Sequence, residues 1–310
     1  MVKEKKDTTI LVVDDEPEIR QLLCDYLADD EGYNIVVAEG GQEALDVLEK
    51  HAVDLVISDI NMPGMRGFDL LKLVKDKYPL IKRVLITAYN VEDYLSLALT
   101  HDVGNIFVKS IPFNFNELSS VLRNLLTGDI FGPEKYFGPE AIREEFRITR
   151  GNKLDTEARK IIGSIPKVSK PKKLELVIFE IMTNAIFYGI RGESPVHKET
   201  WNHNFELTPE QAVIVTVLFD MEKYAISIVD TGGRLAKTDM LYWVNRQATH
   251  DEGGVPLGLY DSHGRGFFIA REYIDRIIVN IDKNKKTEVI IVNYYDNKYV
   301  GYKPLYINEL

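Results

Sequence analysis

Over its first 126 residues the chain repeats one pattern five times, a short apolar run followed by an amphipathic stretch. The runs are ILVVDD (10–15), NIVVAE (34–39), VDLVISDI (53–60), RVLITAY (83–89) and NIFVKS (105–110). Apolar runs of this length predict buried strands. The stretches between and after them, 17–28, 40–51, 67–77, 91–103 and 114–126, predict helices. Pro17 suits a first helical turn, and Asn116 is placed to cap the last helix. Five strand–helix repeats predict a doubly wound parallel sheet, a flavodoxin-like (βα)5 unit. Such a sheet presents its functional groups at the carboxyl ends of its strands.

The residues at those ends are chemically coherent. Asp14 and Asp15 follow the first run, Asp59 closes the third, Thr87 the fourth and Lys109 the fifth. Three carboxylates gathered at one edge repel one another unless a cation lies among them, and Mg²⁺ suits oxygen ligands. A hydroxyl and an ammonium beside them suit the oxygens of a phosphoryl group carried by one carboxylate.

Residues 8–126 resemble the receiver domain of two-component response regulators, and DINMPGMRG (59–67) matches the loop after that family's acceptor, with Pro63 and Gly67 in place. The resemblance implies Asp59 as phosphoacceptor, Mg²⁺ held by Asp14, Asp15, Asp59 and the carbonyl of Asn61, and Thr87 and Lys109 on the phosphoryl group. It implies a cognate histidine kinase as phosphate donor. Two departures stand out. The proline that usually follows the lysine directly is Pro112, two residues late, and the usual aromatic switch position is Ile106, with Phe107 beside it.

The rest of the chain changes character. TGDIFGPEKYFGPEAI (127–142) is rich in Gly and Pro and predicts a linker. Residues 154–163 and 172–189 have helical periodicity. AVIVTVLFD (212–220) and KYAISIVD (223–230) predict a half-buried antiparallel pair, and 276–281 with 288–295 a second hairpin. Segments 190–211 and 234–263 read as long irregular loops. This order predicts an α/β sandwich with one sheet face covered.

Glu180 and Asn184 are polar exceptions in the apolar helix 173–189, four apart and on one face. A carboxylate and an amide oxygen so placed suit a hydrated Mg²⁺. Asp230 ends a strand and is followed by Thr231, Gly232 and Gly233, which allow close backbone approach. Gly264, Arg265 and Gly266 open an amphipathic stretch, where bare amides and the helix dipole favour anions.

In that order these elements resemble the GHKL (Bergerat) ATPase fold of histidine kinases and anti-sigma-factor serine kinases, over about residues 150–295. The resemblance implies ATP and Mg²⁺ as cofactors. Glu180 and Asn184 match the N box, Asp230 and Gly232 the G1 box, Gly264, Arg265 and Gly266 the G2 box, and 234–263 the ATP lid. Asn184 then coordinates Mg²⁺, Asp230 reads adenine, Glu180 orients or deprotonates a nucleophile, and Thr287 is a further adenine-side candidate. Arg234 stands where the fuller G1 pattern has its last glycine.

None of the six histidines (51, 101, 197, 203, 250, 263) has the setting of a histidine-kinase acceptor. The resemblance therefore points to the serine-kinase type. The organisation expected is a receiver at 1–127, a linker at 128–150 and an ATP-binding domain at 151–310. The function expected is a response regulator whose output transfers phosphate to a serine or threonine of a protein target, such as an anti-sigma antagonist or a sigma factor. An ATP-dependent sequestering module and a regulator of another histidine kinase are the alternatives. A homodimer is the family expectation.

Composition limits the remaining classes. The net charge is −10, and no basic patch interleaved with aromatics occurs, which argues against direct nucleic-acid binding. No apolar run approaches the roughly 20 residues that span a bilayer. Cys24 is the single cysteine, so no internal disulfide forms, and a cytoplasmic setting is expected.

Overall fold

The computed structural model describes residues 3–193, 200–250, 257, 270–296, 299 and 301–310, without the side chain of Gln247. The chain forms two compact units, one of residues 1–130 and 299–304, the other of 131–298 and 305–310.

In the first unit the five predicted strands form: β1 (Thr9–Val13), β2 (Asn34–Ala38), β3 (Leu55–Asp59), β4 (Lys82–Thr87) and β5 (Asn105–Val108). They pair in parallel in the order β2-β1-β3-β4-β5. The reversal of strand order at β1 leaves a crevice outside the carboxyl ends of β1 and β3, where Asp14 and Asp59 stand. The apolar runs of β1, β3 and β5 are buried as expected, with β3 buried along its whole length, whereas the edge strand β2 buries only Ala38 and leaves Val37 exposed.

The helices are α1 (Pro17–Cys24), α2 (Gly41–Lys50), α3 (Gly67–Lys77), α4 (Leu95–His101) and α5 (Phe115–Thr127). Pro17 opens α1, whose last predicted turn becomes a π-type turn at Asp25–Asp30. The fourth helix begins as a 3-10 turn at Val91–Tyr94. Asn114 caps α5, accepting the Glu117 N–H at 3.2 Å; Asn116, the expected cap, already lies inside the helix. Asn114 sits three residues before that N–H, the spacing an N-cap requires.

The second unit has a mixed sheet of β6 (Ile142–Ile148), β7 (Val213–Phe219), β8 (Lys223–Asp230), β9 (Arg276–Asp282), β10 (Lys286–Tyr294) and β11 (Leu305–Glu309). Their order is β11-β9-β10-β8-β7-β6, all antiparallel except the β11–β9 pair. Its helices are α6 (Leu154–Gly163), α7 (Pro171–Asn184) and α8 (Lys237–Ala248).

Several expectations are corrected here. The β7–β8 pair is buried on both faces rather than half-buried, because segment 131–136 lies over the face away from the helices. The stretch read as a linker contains the edge strand β6, which carries Arg143, Glu144, Glu145 and Arg147 and is mostly exposed. An edge strand bearing charges shows no apolar run, and those charges discourage pairing with other chains. The stretch read as a long loop from residue 234 contains α8, which buries Met240, Leu241 and Val244 at helical spacing. The helix expected over 172–189 ends at Asn184 and continues as a π-type turn, Ala185–Ile190.

Candidate functional site

At the crevice of the first unit, Lys109 reaches back from the end of β5 between two carboxylates. Its Nζ lies 2.7 Å from Asp59 Oδ1 and 2.9 Å from Asp14 Oδ2. Asp14 is fully buried and Asp59 nearly so. Burial pushes the Asp14 carboxyl above its ordinary range, against the opposing pull of Lys109. Burial also pushes the Lys109 ammonium down, yet its hydrogen bonds and charge pairing with Asp59 and Asp14 outweigh this and hold it above its ordinary value. Both shifts run upward because Lys109 answers two carboxylates while Asp14 answers one ammonium and a neighbouring acid. The ammonium stays charged and joins the two acids.

Backbone N–H groups hold both carboxylates. The Asn61 N–H donates to Asp59 Oδ2 at 2.6 Å. The Glu16 N–H donates to Asp14 Oδ1 at 3.0 Å, and Arg20 holds the Asp14 carbonyl at 2.5 Å. Thr87 is buried at the end of β4, and its hydroxyl accepts the Tyr89 N–H at 3.0 Å. Asp15 is exposed beyond the end of β1. Among the described residues no three acidic, imidazole or thiol groups form a ready-made metal cage. Asp14 and Asp59 nevertheless supply two converging carboxylates, and Mg²⁺ binds through one or two carboxylates while keeping several waters. The oxygen donors therefore fit that ion.

Tyr94 was not foreseen. Its hydroxyl accepts from Asn61 Nδ2 at 2.6 Å, tying the loop after the acceptor to the turn that opens α4. At the expected switch position Ile106 is buried, and the neighbouring Phe107 begins an aromatic run through Phe113 and Phe115 to Tyr26. Only the aromatic content of residues 91–94 hinted at Tyr94, since its partner lies 33 positions away. Tyr94→Phe is expected to cost less than about 1 kcal/mol, because the lost bond is exposed. Thermal melts check the stability, and labelling rates with acetyl phosphate check whether the loop's hold on the acceptor matters.

The response regulator receiver domain profile matches residues 10–123. Sporulation initiation phosphotransferase F of Bacillus subtilis is 36% identical over 131 residues, which cover 41% of this chain and 96% of that protein. The chain belongs to the response regulator receiver family. Response regulator protein FleR of Pseudomonas aeruginosa is 35% identical over 138 residues, covering 44% of this chain and 28% of FleR. Response regulator GtcR of Aneurinibacillus migulanus is 37% identical over 115 residues, 37% of this chain and 45% of GtcR. The chain thus spans less than half the length of these two relatives. Among solved structures, response regulator TrrA of Thermotoga maritima in complex with Mg²⁺-BeF is 43% identical, covering 38% of this chain and 99% of that one, with a TM-score of 0.35. Receiver domains act in two-component signalling, are phosphorylated by histidine kinases and take Mg²⁺ for that reaction. No described helix is long and apolar enough to cross a membrane.

Beyond the receiver, the second unit gathers a different set. Asp230 ends β8 and is 5% exposed. Its Oδ1 accepts the N–H groups of Gly232 at 2.9 Å and Gly233 at 3.2 Å. Burial raises its pKa to about 6, with those two bonds pulling the other way. Thr287 pairs with Asp230 across the β8–β10 ladder, so both side chains share one face. The Thr287 hydroxyl is buried and has no hydrogen-bond partner among the described residues.

The π-type turn after α7 closes on the same spot. A methyl group on Gly189 would lie 2.6 Å from the Asp230 carboxyl carbon, and one on Gly232 would lie 1.7 Å from the Gly189 carbonyl oxygen. Only glycine fits at either position. Arg234 Nε donates to the same carbonyl at 3.1 Å, so the residue departing from the expected glycine pattern braces the turn.

Asp230, Gly232, Thr287 and the end of α7 are therefore brought together. On α7, Asn184 is exposed and Glu180 half-buried. The expectation that both lie inside an apolar helix is corrected: the helix buries Val177, Ile178, Ile181 and Met182 and turns the 180/184 edge outward. Gly264, Arg265 and Gly266 lie outside the described residues.

Proposed function

We propose that this chain is a response regulator whose phosphorylation on Asp59 controls an ATP-binding output unit of GHKL type. The output is a protein serine/threonine kinase of the anti-sigma kind. The observation that carries the nucleotide reading is the Asp230–Thr287 pair: a buried carboxylate at a strand end, opposite a buried hydroxyl with no partner among the described residues. Buried polar groups are almost always satisfied, and an orphan beside an acid held on backbone amides marks a place for a polar ligand. A carboxylate there accepts an exocyclic amine of the adenine type.

In this reading Asn184 holds Mg²⁺, Glu180 orients or deprotonates the acceptor hydroxyl, and Gly264, Arg265 and Gly266 meet the phosphates. Glu180 and Asn184 stand one turn apart, outward on the helix that runs into the Gly189 turn. Phosphoryl transfer of this kind needs positioning and charge neutralisation more than covalent chemistry. Asp14, Asp15, Asp59 and the Asn61 carbonyl hold the receiver's Mg²⁺, and Thr87 and Lys109 contact its phosphoryl group. The receiver is the unit of 1–130 with 299–304, the output is the unit of 131–298 with 305–310, and a homodimer is the working assembly.

Two measurements test this reading. Mg-ATP binding by calorimetry is expected to weaken at least about 10-fold in Asn184→Ala, the loss of one ion-held contact. Unchanged affinity sinks the nucleotide reading. Transfer of labelled γ-phosphate to a protein target is expected in wild type and to vanish in Glu180→Gln with ATP binding intact. Tight ATP-dependent partner binding without transfer would instead establish a sequestering module.

A further inference from the structure

On the face of the second sheet opposite Asp230 and Thr287 lies a buried polar row. Glu288, Asn280 and Asn308 occupy one register across β10, β9 and β11. Their exposures are 1%, 0% and 6%. The Glu288 carboxylate accepts from Gly132 N at 3.0 Å, Ser227 Oγ at 2.6 Å and Asn280 Nδ2 at 3.0 Å. Asn280 Oδ1 in turn accepts from Asn308 Nδ2 at 2.8 Å. Burying a carboxylate is costly unless donors surround it, and here every partner donates.

The two ends of this row are not arbitrary places. Gly132 is the second residue after the chain leaves the receiver unit, and Asn308 is the fourth after it leaves that unit again at Pro304. The first crossing is further held by Phe131, whose ring lies 3.8 Å beneath the Lys286 ammonium. Before the second crossing, residues 299–304 belong to the receiver unit. There a methyl group on Gly301 would lie 3.4 Å from Ser110 and 3.6 Å from Val108, the two residues flanking Lys109. Glu288 is also the immediate neighbour of Thr287, and successive strand residues face opposite ways. One peptide unit therefore joins the fastening of both crossings to the face that carries Asp230.

We infer that Glu288 is a positioning residue that fastens both crossings from the receiver to β10, so that a change at Asp59 reaches the nucleotide face through this one carboxylate. The inference rests on the nucleotide reading for its functional consequence. It rests on the hydrogen-bond row alone for the coupling itself.

The test uses the full chain with and without beryllofluoride and Mg²⁺, which mimic the phosphorylated aspartate. In wild type, beryllofluoride is expected to change hydrogen exchange in peptides covering 131–137, 286–294 and 305–310. It is also expected to shift ATP affinity at least about 5-fold, the low end of site-to-site coupling. Glu288→Gln removes the charge and one acceptor oxygen from the row, and the response of 286–294 and the affinity shift are expected to collapse. Ser227→Ala, which removes a donor and no charge, is expected to reduce both partially and serves if Glu288→Gln does not fold. A full exchange response in the folded variant overturns the inference, as does a wild type in which only one crossing responds. Wild type that binds no ATP defeats the nucleotide reading instead, and the exchange response of 286–294 then decides the coupling by itself.

Discussion

Asp59→Asn is expected to abolish labelling of the chain by acetyl phosphate while leaving the fold intact. In that reaction a carboxylate oxygen of Asp59 forms a bond to phosphorus as the bond to the acetate oxygen breaks, and acetate leaves with the electron pair. An amide oxygen is a far weaker nucleophile and yields no stable acyl phosphate, so the loss is expected to exceed about 100-fold, beyond what misplaced geometry alone produces. The fold survives because the amide oxygen still accepts from the Asn61 N–H or from Lys109, and Lys109 keeps its pair with Asp14. Intact-mass measurement after acetyl phosphate and Mg²⁺ treatment checks the first claim, and a thermal melt checks the second. Labelling that persists in Asp59→Asn would move the acceptor elsewhere.

Asp230→Asn is expected to stabilise the chain near pH 7 while removing nucleotide binding. The carboxyl has a pKa of about 6 in the folded chain, against roughly 3.9 in an unfolded one. An acid whose folded pKa is raised binds its proton more tightly in the native state. Stability is therefore greatest below about pH 4 as far as this group is concerned, and it falls as pH rises from about 4 to about 6. Two units correspond to roughly 3 kcal/mol of destabilisation once the group is ionised. An asparagine carries no charge and still accepts from Gly232 and Gly233. Denaturant melts of both proteins at pH 4 and pH 7.5 check this: the variant is expected to lead at pH 7.5 and to match wild type at pH 4. Equal stability at both values would show that Asp230 ionises without penalty. The stability given up for a buried carboxylate is what a binding function explains, and calorimetry with Mg-ATP is expected to show at least a 10-fold loss, the scale of one charge-assisted bond.

Where the chain was readable, the reason was local. The inner strands β1 and β3 and the strand β5 are buried almost along their whole length, so their apolar runs mark them without reference to any partner, and the residue at the end of the run falls at the functional edge. Asp59, Thr87 and Lys109 were found this way. The same logic found Asp230 at the end of β8.

What escaped was carried by other signals. β6 shows charges because it stands at the sheet edge, and β11 (LYINE) mixes Asn308 and Glu309 with its apolar residues and so shows no apolar run. Tyr94 and Arg20 act through hydrogen bonds to atoms on separate segments. The polar row of Glu288, Asn280 and Asn308 reads in sequence as three unrelated polar residues in apolar strands. Only the register of β10, β9 and β11 makes it one feature.

The sequence by itself determined the five-stranded parallel unit, the acids, hydroxyl and lysine at its strand ends, and Asp230 at the end of its own strand. Periodicity and strand-end chemistry are properties of short windows, which any reading of the chain can see. The tertiary structure alone decided that Lys109 joins Asp14 and Asp59, that Thr287 stands opposite Asp230 with no hydroxyl partner among the described residues, and that the Gly132 N–H meets Glu288. These depend on partners 95, 57 and 156 positions apart, and strand pairing across such distances is fixed by the burial of whole faces rather than by any local pattern.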